Sequence, residues 1–197
     1  MKTVTTDNLI LRQFQPSDFD ALSAVLAEAE IMQHVFSGKA YSQAESQKFV
    51  EDKFLAYENQ EIGVGVLCER FNQRTVGLAG IIHCHYSEEG AVEFGFVLAN
   101  FAHGKGYATE IGRSLIAYAL DELNYDRLYA TVHPDNSPSN RVMEKLGMKI
   151  VDKIETSDRG TRLSYCAGKC SAHILQLRRI ADKSKLLLSA STVPVIG

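Results

Sequence analysis

Seven stretches of the chain alternate apolar with polar residues or form short apolar runs, and this pattern predicts β-strands. The clearest run contains Phe94, Phe96 and Leu98. The predicted strands cover residues 9–14, 62–69, 75–84, 91–98, 127–132, 148–155 and 161–167. The second to fourth strands follow one another closely, which predicts an antiparallel meander. The last two strands are close enough to form a hairpin.

A second pattern, apolar residues three and four positions apart, predicts amphipathic helices between the strands. The longest helix begins at Tyr107 and carries Ile111 and Leu115 on its apolar side. Strand, helix and strand over 91–132 make a βαβ unit, which favours parallel neighbouring strands. Capping signals place the ends of other helices: Ser17 and Ser42 at the start of two helices, and Gly147 after the end of a third. The predicted helices cover residues 17–26, 43–59, 107–123, 136–146 and 173–188.

Composition and charge narrow the class of protein. A chain of 197 residues suits one α/β domain, 1–170, followed by a basic extension, 171–197, that is helical or partly disordered. The net charge of −3 argues against a nucleic-acid partner. No apolar run approaches a membrane span or a signal peptide, so we expect a cytoplasmic protein. A monomer or a homodimer is expected. His83 and His85 share one strand face but make an incomplete metal site, and no metal is predicted.

A glycine-rich turn separates the strand over 91–98 from the helix at Tyr107, and it reads His103-Gly104-Lys105-Gly106. Unpaired N–H groups and the positive end of a helix dipole bind phosphate at such a turn, and glycine lets a ligand approach the backbone. The residue order fails the P-loop pattern, and Thr109 stands where a Rossmann fingerprint needs Gly or Ala. The turn is therefore a diphosphate site for a nucleotide-like cofactor or an ordinary connection, with a dinucleotide site as a weaker alternative.

Three segments resemble, in order, the GNAT superfamily of N-acetyltransferases. His103-x-x-Gly106-x-Ala108 is similar to its (Arg/Gln)-x-x-Gly-x-(Gly/Ala) acyl-CoA signature. The segments 8–14 and 135–148 look like the opening and the Asn-x-x-Ser…Lys-Leu-Gly block of the ribosomal-protein N-terminal (Rim-type) branch. The resemblance covers about residues 7–155 and implies an α/β GNAT fold. That fold is a mixed six- to seven-stranded sheet flanked by helices, with splayed central parallel strands.

The resemblance implies that the ligand is acetyl-CoA. Its pantetheine arm would pair with the strand end over 96–98, where the N–H of Val97 or Leu98 would meet the thioester oxygen. Asn136 matches the asparagine that contacts this arm, although an Asx turn or a helix cap suits it equally. The residues implied in binding acetyl-CoA are Phe96, Val97, Leu98, His103, Gly104, Lys105, Gly106, Tyr107, Ala108, Thr109 and Asn136.

Two residues depart from the family pattern. His103 stands where Arg or Gln is usual. Met143 stands where many members carry a tyrosine thought to protonate the leaving thiolate, and a thioether cannot donate a proton. Ser139 matches a serine near the sulfur, so its hydroxyl is a candidate for that role. The alternative is an ordinary surface serine on a helix.

Acetyl transfer to an amine requires a neutral amine, donors for an oxyanion and stabilisation of the thiolate. Glu93 is our candidate general base, directly or through water. In a strand it shares a face with Gly95, which would leave room for a substrate amine. A cross-strand ion pair or a solvated carboxylate fits the pattern equally well.

The sequence thus predicts an acetyl-CoA-dependent N-acetyltransferase acting on a primary amine, either a protein N-terminal α-amine or a small-molecule amine. Acceptor specificity is expected in the loop over 31–42 and in the early helices. Two other classes stay open: a catalytically silent CoA-binding module and a nucleotide-binding oxidoreductase.

Overall fold

The computed structural model describes residues 2–57, 60–84, 87, 90–156 and 160–169. Within them, eight strands form one mixed sheet in the order β1-β2-β3-β4-β5-β6-β8-β7. The strands are β1 (Val4–Thr5), β2 (Leu9–Arg12), β3 (Gly63–Glu69), β4 (Thr75–His83), β5 (Val92–Leu98), β6 (Arg127–Val132), β7 (Lys149–Thr156) and β8 (Gly160–Gly168). Seven of the eight were predicted, and the predicted fold class is confirmed. The eighth, β1, is too short to show an alternating pattern.

Among the residues that the structure describes, five α-helices accompany the sheet: α1 (Phe19–Leu26), α2 (Ala29–Met32), α3 (Gln43–Lys53), α4 (Tyr107–Ala117) and α5 (Ser137–Lys145). Short 3₁₀ turns occur at Pro16–Asp18, Leu55–Tyr57 and Asn100–Ala102, and α4 continues as a π-helical turn, Tyr118–Glu122. Within the described residues, no helix is long and apolar enough to cross a membrane. The extension 171–197 and the helix predicted over 173–188 lie outside the described residues.

The helix ends show which local signals are reliable. Ser42 caps α3 as predicted, since its hydroxyl accepts from the Glu45 N–H and the Glu45 carboxylate accepts from the Ser42 N–H at 2.7 Å. Gly147 follows α5 at φ 73°, the left-handed conformation expected of a C-terminal glycine. The predicted length of α3 was wrong, because the helix ends at Lys53 and a 3₁₀ turn follows. Ser17 does not cap α1, since it lies inside a 3₁₀ turn.

β5 and β6 are the one parallel pair among the described strands, and they separate soon after they meet. They pair only at Val92–Leu128 and Glu93–Tyr129. β5 nevertheless stays paired with β4 as far as Leu98, and β6 stays paired with β8 along its length. The sheet therefore opens between the carboxyl ends of its two central strands, as the predicted splay requires.

The helices cover both faces of the sheet, and alternate residues of β5 face different layers. Phe94 and Leu98 belong to the core that contains Ile111 of α4 and Met143 of α5. Val97 belongs instead to the core built by α1, α2 and α3. Because side chains alternate along a strand, Glu93 and Gly95 lie on the same face as Val97. Anything held between β5 and β6 can thus be reached from both helical layers.

Candidate active site

A cavity of about 420 Å³ lies where β5 and β6 separate. It brings together five residues that the sequence singled out. Leu98 and the turn residues 103–109 do not line this cavity, so the predicted site consists of two adjoining parts. The five predicted residues on its wall are Glu93, Phe96, Val97, Asn136 and Ser139.

The backbone of β5 offers alternate groups to this opening. Two hydrogen bonds bracket its ladder with β4, Cys84 N–H to Ala91 O and Ala99 N–H to Val76 O, both at 2.8 Å. In an antiparallel ladder every second residue bonds to the same neighbour, so Val97 directs its N–H and C=O toward β4. The backbone groups of Phe96 and Leu98 then face the opening. Of the two donors considered for the thioester oxygen, Leu98 has the suitable direction.

Glu93 is held inside the cavity wall rather than in solvent. Its side chain is 8 % exposed, and Thr131 Oγ1 of β6 donates to Glu93 Oε2 at 3.2 Å. The adjacent position on the same face is Gly95, which is exposed and has no atom within 4 Å of the place where a Cβ would stand. A buried carboxylate therefore borders open space of the kind that an amine would need.

The start of α5 forms the opposite wall. Asn136 caps this helix, since its Oδ1 accepts from the Ser139 N–H at 3.2 Å. Asn136 Nδ2 and Ser139 Oγ make no hydrogen bond to any described residue, so the cap and a ligand contact are compatible. Met143 is 2 % exposed and adds an apolar surface to this wall. Asn140 fixes the preceding loop, because its Nδ2 donates to Pro134 O at 2.9 Å.

The glycine-rich turn has the backbone conformation of an anion site. Gly104 and Gly106 have φ of 75° and 83°, and Gly106 is the N-cap of α4. A Cβ added at either glycine would meet nothing within 4 Å, so the space next to the turn is open. The first N–H groups of an α-helix have no acceptor within the helix. The turn therefore fits a phosphate group bound by backbone amides.

The longer side chains of the turn are engaged within the protein. Lys105 Nζ lies 3.0 Å from Glu69 Oε1, and the Tyr107 hydroxyl donates to the same oxygen at 2.9 Å. Hydrogen bonds from Lys105, Asn72 and Tyr107 lower the pKa of Glu69 to about 2. His103 Nε2 lies 3.0 Å from Leu98 O. The turn thus presents its backbone to a ligand, while Ala108 and Thr109 are half-buried in the first turn of α4.

Three features of the cavity were missed from the sequence. Thr131 was assigned only to a strand, although it donates to Glu93. Arg162 is a charged residue inside a predicted strand, a signal that was available, and it is 4 % exposed on the cavity wall. His34 and His133 stack with ring centroids 5.1 Å apart, a contact between segments about a hundred residues apart that no local pattern reveals.

The chain is similar in sequence to known acetyltransferases. The family model described as acetyltransferase (GNAT) domain matches residues 8–149. The uncharacterized N-acetyltransferase YnaD of Bacillus subtilis (strain 168) is 29 % identical over 150 residues, which cover 74 % of this chain and 82 % of YnaD.

Solved structures agree on the fold. An acetyltransferase (GNAT family) from Bacillus anthracis superposes with a TM-score of 0.72 at 22 % identity, over 84 % of this chain and 98 % of that one. RimL, a ribosomal L7/L12 alpha-N-protein acetyltransferase in complex with coenzyme A, superposes with a TM-score of 0.70 at 18 % identity, over 84 % of this chain and 97 % of RimL.

Proposed function

We propose a function from the premise that this chain belongs to the acetyltransferase (GNAT) domain family and is therefore an acetyl-CoA-dependent N-acetyltransferase. The proposal is that a primary amine attacks the thioester of acetyl-CoA directly, without an acetylated enzyme. The amine approaches from the α1–α3 side of the sheet and the thioester from the α4–α5 side. The nucleotide-binding oxidoreductase considered from the sequence has no support in these comparisons.

The opening between β5 and β6 is the observation that carries this proposal. It places the edge of β5 that β6 does not pair with between Glu93 on one face and Ser139 on the other. An extended pantetheine arm can take the place of the missing strand pairing. The turn at Gly106 lies beyond the carboxyl end of β5, in the direction from which a long diphosphate-bearing ligand would enter.

Each step of the transfer has a group in this chain. Glu93 removes a proton from the ammonium or from the attacking nitrogen, and a nitrogen–carbon bond forms as the carbonyl becomes a tetrahedral oxyanion. A backbone N–H on the edge of β5 that faces the opening, that of Phe96 or Leu98, stabilises that oxyanion. The carbon–sulfur bond then breaks, and the hydroxyl of Ser139 donates to the departing thiolate, which takes up a proton and leaves as the thiol. Met143 cannot serve there, because a thioether has no proton to give.

The demand on Glu93 depends on the acceptor. An α-amine with a pKa of about 7.7–8.0 is partly neutral at pH 7, whereas a lysine-type amine near 10.4 is almost wholly protonated. A protein N-terminal α-amine, the substrate in RimL's name, therefore needs less help from a base than an alkyl side-chain amine does.

Ligand-induced stabilisation and product analysis test this function. Acetyl-CoA at about 100 times its Kd should add roughly 2.7 kcal/mol to the free energy of unfolding, and NAD or ATP should add much less. Mass spectrometry should then find an N-acetylated amine and one free thiol for each acetyl group transferred. A larger stabilisation by NAD, or acetyl-CoA binding with no acetylation of any primary amine, would overturn the proposal.

A further inference from the structure

The acceptor side of the cavity is an opening in the apolar core that α1, α2 and α3 build on the sheet. Six residues belong to this core or pack against it, and they also line the cavity. Three are aromatic residues of α3 and of the segment between α2 and α3, and three are aliphatic residues of β3, β4 and β5. They are Phe36, Tyr41, Phe49, Val64, Leu78 and Val97. A ligand on this side of the sheet therefore contacts side chains of a hydrophobic core.

The three aromatic rings form one continuous wall. The centroid of Phe36 lies 4.9 Å from that of Phe49 and 6.1 Å from that of Tyr41, and the centroids of Tyr41 and Phe49 lie 5.9 Å apart. Rings this close touch one another, so no cation fits between them as it does in an aromatic cage. Phe49 is buried, whereas Phe36 and Tyr41 are half-buried. The ring surface open to a ligand therefore belongs mainly to Phe36 and Tyr41.

Phe36 holds its position in this wall against a backbone preference. The Gly38 N–H donates to Val35 O at 2.9 Å, so residues 35–38 form a turn with Phe36 at its second position. Phe36 has φ 47°. Positive φ at this position is typical of glycine, asparagine and aspartate, and for a bulky residue it is strained. Such strain persists where the surrounding structure fixes the residue, and it concentrates at ligand-binding sites.

The polar residues of the same segment and of α3 provide no partner for a second positive charge. Those that line the cavity are His34, Ser37 and Lys53, and none of the described lining residues from this part of the chain is acidic. Burial of a charge without a partner is costly. An acceptor with a second ammonium on its body would place that charge against ring surface. An apolar body would instead remove ring surface from water, which is favourable.

We infer that the acceptor is a primary amine with an apolar body, and that Phe36 determines this specificity. The inference rests on the proposed function, in which the amine reacts at the opening between β5 and β6. The body lies against Phe36, Tyr41 and Phe49, and the amine points to the opening. The body belongs either to a free amine or to the first residue of a peptide, since both present the same chemistry to the wall.

Two matched pairs of acceptors test the preference and identify the source of the amine. Cadaverine has an ammonium in place of the terminal methyl group of hexylamine, and both are alkylamines of similar basicity. With saturating acetyl-CoA, hexylamine should have a kcat/KM at least about tenfold above that of cadaverine, although cadaverine has two reactive amines. Tripeptides that begin with phenylalanine or serine and end in two glycines make the second pair. The pair with the higher kcat/KM identifies the source, and an equal or better polar member in that pair would overturn the inference.

Phe36→Asn tests the residue itself. Asparagine accepts positive φ more readily than phenylalanine does, and the substitution removes the ring. The preference for the apolar acceptor should fall by about tenfold, because the ring surface that the acceptor covers is lost. Phe71→Asn is the matched control, since Phe71 is fully exposed and does not line the cavity. Both variants should bind acetyl-CoA like the wild type, which checks that they fold. An unchanged preference in Phe36→Asn would contradict the specificity assigned to Phe36.

The outcomes separate this inference from the proposed function. Acetylation of cadaverine in preference to hexylamine, and of the serine peptide in preference to the phenylalanine peptide, leaves the N-acetyltransferase function standing and removes the apolar acceptor. Binding of acetyl-CoA without acetylation of any amine in the two pairs removes both.

Discussion

Glu93 combines three properties of a candidate base at one strand position: its sheet face, its burial and the open space beside it. Alternation along β5 places it on the face opposite Phe94, its burial leaves it 8 % exposed, and Gly95 leaves open space beside it. The sequence predicted the face and the glycine neighbour, because both follow from a period of two. Its partner Thr131 and its burial depend on how β6 meets β5, which no local pattern encodes.

Replacing Glu93 tests its role as the base. Glu93→Gln keeps the size of the side chain and an oxygen that accepts from Thr131. We expect kcat to fall by about 10²–10⁴-fold and the acidic limb of the pH–rate profile to disappear, since general-base catalysis is typically worth that much. The Kd for acetyl-CoA should not change. Glu155→Gln on β7, an exposed carboxylate-to-amide change, is the control. Wild-type turnover of Glu93→Gln at every pH would assign Glu93 to structure alone.

At the scale of elements, the start of α4 was predicted from its turn residues. The backbone conformation of Gly106 limits which substitution can test ligand binding there. Gly106 has φ 83°, so a β-branched substitution would strain the backbone as well as block a ligand. Asp tolerates positive φ better than most residues do, and a Cβ at Gly106 meets nothing within 4 Å. Asp is therefore the substitution that separates binding from folding.

We expect Gly106→Asp to weaken acetyl-CoA binding at least about tenfold, or about 1.4 kcal/mol, because a carboxylate would repel the diphosphate. Gly90→Asp is the matched control. Gly90 has φ 77°, its Cβ position is also open, and it precedes β5 at the end of the strand away from the turn. Both variants should lose similar stability, and calorimetric titration should find weaker binding only in Gly106→Asp. Unchanged binding there would place the diphosphate elsewhere.

The contact between β3 and the glycine-rich turn makes a pH-dependent contribution to stability. Lys105 and Tyr107 hydrogen bond to Glu69, whose pKa is lowered to about 2. A carboxyl with a lower pKa in the folded state stabilises the fold above its unfolded pKa, about 4.3. That contribution is lost as the pH falls through about 2.

Glu69→Gln should therefore be less stable than the wild type at pH 7, by about 1 kcal/mol or less for a pair near the surface. The difference should narrow as the pH falls below about 4.3, where the carboxyl of the unfolded chain becomes protonated. Urea midpoints of the two proteins from pH 7 to pH 3 measure it, with Glu51→Gln as an exposed carboxylate control. A stability difference that stays constant with pH would contradict the role given to Glu69.

Two kinds of feature could not be predicted from sequence patterns: very short elements and pairings between distant segments. The strand over Arg127–Val132 was predicted with both ends correct from its β-branched and aromatic residues. β1 and α2 were missed because two and four residues show no complete period. The position of β8 between β6 and β7 is a matter of pairing between distant segments, and the sequence offered no signal for it.

At the scale of the whole molecule, the opening between β5 and β6 is what joins the separate residues into a site. This opening was predicted from the resemblance to a family and not from the residues of either strand. The parallel pairing stops at Glu93 and Tyr129, and because the two strands are about 35 residues apart in sequence, no local pattern indicates where it ends. Because helices cover both faces of the sheet, acetyl-CoA and the acceptor amine would reach this opening from opposite faces. This arrangement is the reason for expecting direct transfer.

Initial-rate kinetics test direct transfer most simply. The concentrations of acetyl-CoA and of an acceptor amine are varied together, and the rate of thiol release is measured. If both substrates must occupy the opening at once, double-reciprocal plots intersect, and acetyl-CoA alone leaves no acetyl group on the protein. Parallel lines, together with a stable acetylated protein in the absence of amine, would show a covalent relay and contradict an amine and a thioester meeting between β5 and β6.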